Sequence, residues 1–283
     1  MKTIKRLVKR LIEVLVRVTG KTRVGRYFYD QVVNMVAGQT LKASHGSLDV
    51  TLATPNALCR YRAETFSTKE PETLKWIDGF PEGAVLWDVG ANVGLYSIYA
   101  AKHRKCRVWA FEPSVFNLEC LARNVHLNGL TDRVCLVPLA LSDGLGPSRL
   151  NMTSTVWGGA LSTFGQDYGH DGKKLQQVFE FQVLGLSMED AVRRLEIPQP
   201  DYIKMDVDGI EHLILKGGMA VVRGVKGILI EVNDNFHEQA GQCRRFLSSA
   251  GLTLTAKVHA PAMADCSLFE NTYNQIWRRS ESA

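Results

Sequence analysis

Apolar and polar positions follow different rhythms along the chain. Over MKTIKRLVKRLIEVLVRV, Ile4, Leu7, Val8, Leu11, Ile12, Leu15 and Val18 recur three or four residues apart, with Lys and Arg between them. That spacing predicts an amphipathic helix. SLDVTLATPNALCRYRAETF then reads as two short strands around a turn at Thr54-Pro55-Asn56. KEPETLKWIDGF suits a short helix opened by Pro71 and closed by Gly79. From Ala84 the pattern changes to near-continuous apolar runs separated by helical stretches. AVLWDVG, RVWAFEP, VCLVPLALS, DYIKMDVDG and GILIEVND are the predicted strands, and LTLTAKV and NQIWRR complete a set of seven. GLYSIYAAKHRK and SVFNLECLARNVHLNGL are the first two helices between them. Strands without polar alternation, linked by helices, predict a mostly parallel sheet covered on both faces.

Asp143 to Pro200 is too long for one crossover. SRLNMT and VFEFQVLGLS predict an extra hairpin, and SMEDAVRRLEI a helix whose Ser187 and Asp190 have capping-box spacing. Between the hairpin arms runs STVWGGALSTFGQDYGHDGKK, rich in Gly, Ser and aromatic residues. A loop of that length in a compact domain is usually functional or mobile. The expected organisation is a basic helix and hairpin cap over residues 1–83, then one domain over 84–283 with an insertion at about 143–200.

Charge alters this picture at one end only. Residues 1–26 hold nine Lys and Arg against Glu13, a net of +8, which leaves −3 for the rest of a chain whose formal charge is +5. The basicity is therefore local and gives no ground for a nucleic-acid partner. Charges recur too often in the first helix for a membrane span or a signal-peptide core. Three readings stay open for it: docking on its own domain, peripheral contact with an anionic membrane through residues 1–20, or an organelle targeting segment. The six cysteines form no C-x-x-C pair and join no histidine cluster, as expected of free thiols in a reducing compartment, so the expected location is the cytoplasm.

The chemistry concentrates at strand ends. In VLWDVGANVGLYS a buried strand runs into Asp88 and a glycine turn, Gly90 to Gly94, before a helix begins. Strand, turn and helix form a nucleotide crevice at the carboxyl end of a parallel sheet. A dinucleotide needs G-x-G-x-x-G, but the three glycine positions here read Gly90, Asn92 and Leu95. Asp88 would also repel a pyrophosphate. S-adenosylmethionine has no phosphate and carries a sulfonium and an ammonium, so the carboxylate becomes favourable. Glu112, at the next strand end, lies where an acidic residue holds ribose hydroxyls. The expected cofactor contacts are Asp88, Gly90, Asn92, Gly94 and Glu112.

Four blocks, DVGANVGLYS, FEPSVFNLECLARNVHLN, LALSD and YIKMDVDGIEHLILKG, spanning about Val85 to Asp234, together resemble the FkbM family of S-adenosylmethionine-dependent methyltransferases. The resemblance implies a class I methyltransferase (Rossmann-like) α/β fold and methyl transfer to a hydroxyl oxygen. One departure is Asp208, where the family commonly has Glu.

In LALSD, Ser142 and Asp143 are candidate adenine contacts. In KMDVDGIEH, Lys204, Asp206, Asp208, Glu211 and His212 crowd one strand end. Asp206 is the first candidate for the base beside the cofactor and the acceptor hydroxyl, followed by Asp208, Glu211 and His212. Asp206 and Asp208 alternate, so they leave opposite faces if the strand persists. Glu231, Asn233 and Asp234 could join Asp206 in an all-oxygen Mg²⁺ site, although no metal is expected. His170, Tyr168, Asp171, Trp157 and Phe164 in the long loop either meet the acceptor or pin the loop down.

The leading function is an O-methyltransferase acting on a sugar, lipid, polyketide or small-metabolite hydroxyl. One rival is a macromolecular N-methyltransferase, which would favour an Asn/Asp-Pro-Pro-Tyr motif where this chain reads DVDG. The other is an inactive cofactor-binding module held to a membrane or partner.

Overall fold

The computed structural model describes residues 2–260 and 269–280. Helices α1 (Lys2–Thr19) and α2 (Arg23–Ala37) open the chain. The Thr22 hydroxyl starts α2 by accepting the Gly25 amide at 2.9 Å. A hairpin follows, β1 (Thr40–His45) and β2 (Leu48–Ala53), then α3 (Ala57–Glu64) and α4 (Pro71–Asp78). The strand expected after Pro55 is helix α3. Asn56 caps it by accepting the Cys59 amide at 2.7 Å, and the partner of β2 comes from the preceding residues instead.

The alternation then begins: β3 (Val85–Val89), α5 (Leu95–His103), β4 (Arg107–Phe111), α6 (Val115–Leu127) and β5 (Val134–Val137). Next come β6 (Ala140–Leu141), β7 (Gly146–Met152), β8 (Ser162–Phe164), β9 (Phe179–Leu186) and α7 (Met188–Leu195). The chain finishes with β10 (Tyr202–Met205), α8 (Glu211–Lys216), α9 (Met219–Val222), β11 (Gly227–Asn233), α10 (His237–Ser249), β12 (Leu252–Val258) and β13 (Thr272–Arg279).

The expected seven-stranded α/β sheet is present, in the order β12-β13-β11-β10-β3-β4-β5. Only β13 runs against its neighbours. The predicted third strand is split. Pro138 has no amide hydrogen for a ladder, so β5 stops at Val137 and Ala140–Leu141 pair with β9 instead. The insertion forms a separate four-stranded sheet, β6-β9-β7-β8, built on the expected β7–β9 hairpin.

Side chains along β3 divide between two cores, as period-two geometry requires. Leu86 joins Ile98 and Leu121 of α5 and α6. Val85, Trp87 and Val89 join Ile203, Met205 and Ile230 on the other side. From β3 the chain builds outward to β4 and β5, then returns to place β10 and β11 on the opposite flank. The order reverses between β3 and β10, and a crevice opens at their carboxyl ends.

The first helix does not dock on the domain. Its described residues from Arg6 to Val18 are all exposed, and α2 has no buried residue. No helix among the described residues is long and apolar enough to cross a membrane. Five cysteines are free thiols; Cys266 lies outside the described residues.

The β1–β2 hairpin is fastened by α6. Asn124 accepts the Ala53 amide at 2.7 Å and donates to the Val93 carbonyl at 2.8 Å. Both partners of this buried amide are main chain, so Asn124→Ala strands them. The expected loss is about 2–4 kcal/mol of unfolding free energy, since each buried unpaired polar group costs about 1–3 kcal/mol. Urea denaturation checks it, and a loss below about 0.5 kcal/mol would contradict the clamp.

Candidate cofactor and acceptor site

The glycine turn is held from both sides. Gly90 and Ala91 amides donate to the Phe111 carbonyl at 3.0 and 3.1 Å. Gly90 has φ +81°, and a Cβ there would lie 1.9 Å from the Asp206 carbonyl oxygen. Only glycine allows β3 to approach the end of β10 this closely. Gly94 answers a different demand. It starts α5 at φ +83°, and its missing Cβ would lie 2.2 Å from Leu121 Cδ1. It therefore serves helix packing and does not line the crevice.

The crevice encloses about 570 Å³, including its open mouth. Its apolar lining comes from Phe111, Leu139, Ala140, Leu141, Phe164 and Ile210. Its polar lining comes from Asn92, Glu112, Asn117, Asp206 and Asp208. Of the expected adenine contacts, neither Ser142 nor Asp143 reaches it. Asp143 is exposed and pairs with Lys216 at 3.0 Å. Residues 139–141 line it instead.

Glu112 bridges two loops, accepting the Asn92 amide at 2.7 Å and the Ser114 amide at 2.8 Å. Burial pushes its carboxyl up to about 7, although those amides favour the ionised form. Asp88 lies one step behind the crevice. Its Oδ2 accepts from Ser97 at 2.6 Å, while Oδ1 is buried without a partner. Burial raises this acid too, against the pull of Lys204.

The β10 end differs from the alternating arrangement expected. The strand stops at Met205, and Asp208 adopts φ +62°, which turns it back towards Asp206. Oxygens of Asp206, Asp208 and Glu231 come within 4.8 Å of one another. Asp206 accepts from Lys204 at 3.0 Å. Asp208 accepts the amides of Leu161 and Ser162 at 2.7 and 3.2 Å. Burial, then Asp206, raises Asp208 to about 6. The same causes, with Asp208 added, drive Glu231 far above the carboxylate range.

These three carboxylates could hold a divalent cation, but Asn233 and Asp234 could not join them. Asn233 donates to Thr272 at 3.2 Å, and Asp234 pairs with Lys257. Glu211 and His212 also stand off the crevice. Glu211 is a buried brace for the turn, accepting the Val207 and Gly209 amides and Gln239. Burial raises its carboxyl to about 7. His212 is buried edge-on to Phe236, and burial lowers its pKa.

Several site residues escaped sequence reasoning. The Gly159 carbonyl accepts from Asn92 and Asn117 at 2.7 and 3.0 Å. Gly158 is held by Asn117 and Arg62, and the Trp157 carbonyl by Asn56. The long loop is thus tied over the crevice by its backbone. Phe164 enters the lining, and Tyr168 packs on Phe236. Trp157 is exposed, whereas His170 is buried beside Phe269. Glu70 and Tyr96 add a buried charged layer. Burial opposes ionisation of Glu70, but Lys69 and Lys204 hold it at about 2. The available signal for Asn117 was a polar residue on the same helix face as the apolar Cys120 and Leu121.

The methyltransferase FkbM domain model matches residues 88–254. The chain belongs to the FkbM methyltransferase family. Its domain is thus of the S-adenosylmethionine-dependent kind. Similar family relatives include the hexuronic acid methyltransferase AglP of Haloferax volcanii, 28% identical over 153 residues, 54% of this chain and 57% of that protein. Methyltransferase sdnD of Sordaria araneosa is 34% identical over 71 residues, 25% of this chain and 27% of its own. The chain therefore spans less than two thirds of either curated relative. Among solved structures, the putative transferase PH0793 from Pyrococcus horikoshii superposes with a TM-score of 0.46 at 12% identity, covering 84% of this chain and 70% of that one.

The crevice fits the family's cofactor on its own chemistry. It offers apolar walls for a planar base and a carboxyl group for ribose hydroxyls. Should Glu112 accept ribose hydroxyls, its ionised form would be favoured, so ligand binding below about pH 7 would expel its proton. S-adenosylhomocysteine affinity is expected to fall about tenfold per pH unit below that point and to level off above it. Calorimetry in buffers of different ionisation enthalpy reads the proton release. Affinity that stays flat from about pH 5.5 to 8 would contradict the contact.

Proposed function

We propose that the protein methylates a hydroxyl oxygen of a sugar or a similarly polyhydroxylated acceptor. In this reading residues 84–283 form the catalytic domain and residues 1–83 its cap. The observation that carries the reading is the position of Asp206. It borders the crevice at the Gly90 contact, beside Asp208 and Glu231. A hydroxyl group entering there meets acceptor oxygens on several sides. The hexuronic acid methyltransferase among the relatives supports a sugar as the acceptor class.

When bound, S-adenosylmethionine supplies a methyl group on a sulfonium centre that an oxygen nucleophile can displace in line. The chain's own residues orient and protect that encounter. Residues 139–141, Phe111 and Phe164 take the planar base, and Glu112 takes the ribose hydroxyls. The tied loop at Gly158 and Gly159 excludes water. Lys204 fixes the Asp206 carboxylate at 3.0 Å, and Asp206 accepts the hydroxyl proton as positive charge develops on oxygen. Orientation and one acid–base group are the contributions such a displacement needs.

A cofactor-consumption assay against neutral sugars, uronates, polyketides and lipids, read by product mass, identifies the acceptor. On that acceptor Asp206→Asn should keep its circular dichroism and lose about 10²–10⁴ in turnover, the span for one acid–base group. Near-wild-type turnover would remove Asp206 from the role. Turnover abolished by chelator and restored by Mg²⁺ would instead make Asp206 a metal ligand.

A further inference from the structure

Helices α1 and α2 are the largest feature that methyl transfer does not use. Their apolar side chains are exposed. Leu7, Leu11 and Leu15 are 59%, 62% and 58% exposed, and Phe28 and Met35 on α2 are 59% and 74% exposed. The two helices touch each other near the turn, where Tyr29 and Thr19 share a short hydrogen bond. The end of α2 meets the domain at a crevice shared by Ala37 and Gly38 with Arg123 and His126.

We propose that α1 and α2 form an arm that lies flat on an anionic lipid surface. Three observations select this occupant. The charge is complementary, because residues 1–26 carry a net of +8 beside a body of −3. The charge is also placed correctly. Arg6 and Lys9 lie on the face opposite Leu7, Leu11 and Leu15, with Arg10 and Arg17 at its edge, so apolar side chains can enter the acyl boundary while cations meet headgroups. Finally, α1 has 18 residues, about 27 Å at 1.5 Å per residue, but its charges bar it from crossing. A second copy of the chain is a poor occupant, since it would oppose +8 to +8. Tyr27 and Phe28 are 66% and 59% exposed and supply the aromatic groups that favour a lipid–water boundary.

Co-sedimentation of the full chain with vesicles of phosphatidylcholine, alone or mixed with phosphatidylglycerol, tests the arm. Binding should be at least about tenfold stronger to the anionic vesicles. It should fall at least about tenfold between about 0.05 and 0.5 M salt, because screening shortens the field. A Leu11→Glu, Leu15→Glu double variant should lose vesicle binding yet keep its melting transition and S-adenosylhomocysteine affinity. Equal binding to neutral vesicles, or binding retained by that variant, would overturn the proposal. A lipid-free dimer that the variant dissociates would reassign the arm to a second copy. Loss of the melting transition in the variant would show that the helices belong to the fold, which also overturns the proposal.

Discussion

The site depends on one contact that tolerates no side chain. The main chain of Gly90 lies against the Asp206 carbonyl so closely that a Cβ would stand 1.9 Å from its oxygen. Hydrogen bonds on both sides enforce the approach: Gly90 and Ala91 donate to Phe111 on β4, and the Asp206 amide donates to Val89 at 3.0 Å. The β3 turn is therefore wedged between the ends of β4 and β10. Glu112 follows β4 immediately, and Asp206 follows β10. The same wedge thus delivers the Glu112 and Asp206 carboxyls to the wall of one crevice.

Charge organisation follows from that placement. Lys204 is buried in the sheet, where an unpaired ammonium would cost several kcal/mol. Asp206 at 3.0 Å, with Asp88 and Glu70 nearby, raises its pKa despite burial. Lys204 in turn holds Asp206 in one orientation at the crevice. Burial beside Asp206 and Asp208 pushes Glu231 well above its ordinary range, against a weaker pull from Lys69. The acids near the site therefore differ in state because their neighbours differ. Glu70 is held ionised, whereas Glu112 titrates near neutrality.

Much of this arrangement was legible in the chain. The apolar runs foretold the central strands, because burial on both faces leaves no polar alternation to obscure them. Glu112 and Gly90 were legible because strand-end carboxyls and tight turns need particular residue types. Other features depended on geometry that residue type does not encode. Asp208 joins Asp206 because its backbone turns left-handed, which a period-two pattern cannot anticipate. Pro138 divides the third strand through the absence of one amide hydrogen. The loop is tied down through the carbonyls of residues 157–159, and carbonyls look alike in every sequence. Glu211 and His212 sit in the richest motif yet serve the turn and its packing, since the helix that begins at Glu211 points them into the core. The first helix was predicted from its pattern, but what it touches lay outside that pattern.

The most direct test of the central claim is a crystal structure with S-adenosylhomocysteine bound. The account predicts the adenine ring against Leu139, Ala140 and Leu141. It also predicts both ribose hydroxyls within hydrogen-bond distance of Glu112, and the sulfur facing Asp206. An adenosyl group bound elsewhere, or in the crevice with its ribose away from Glu112, would contradict it.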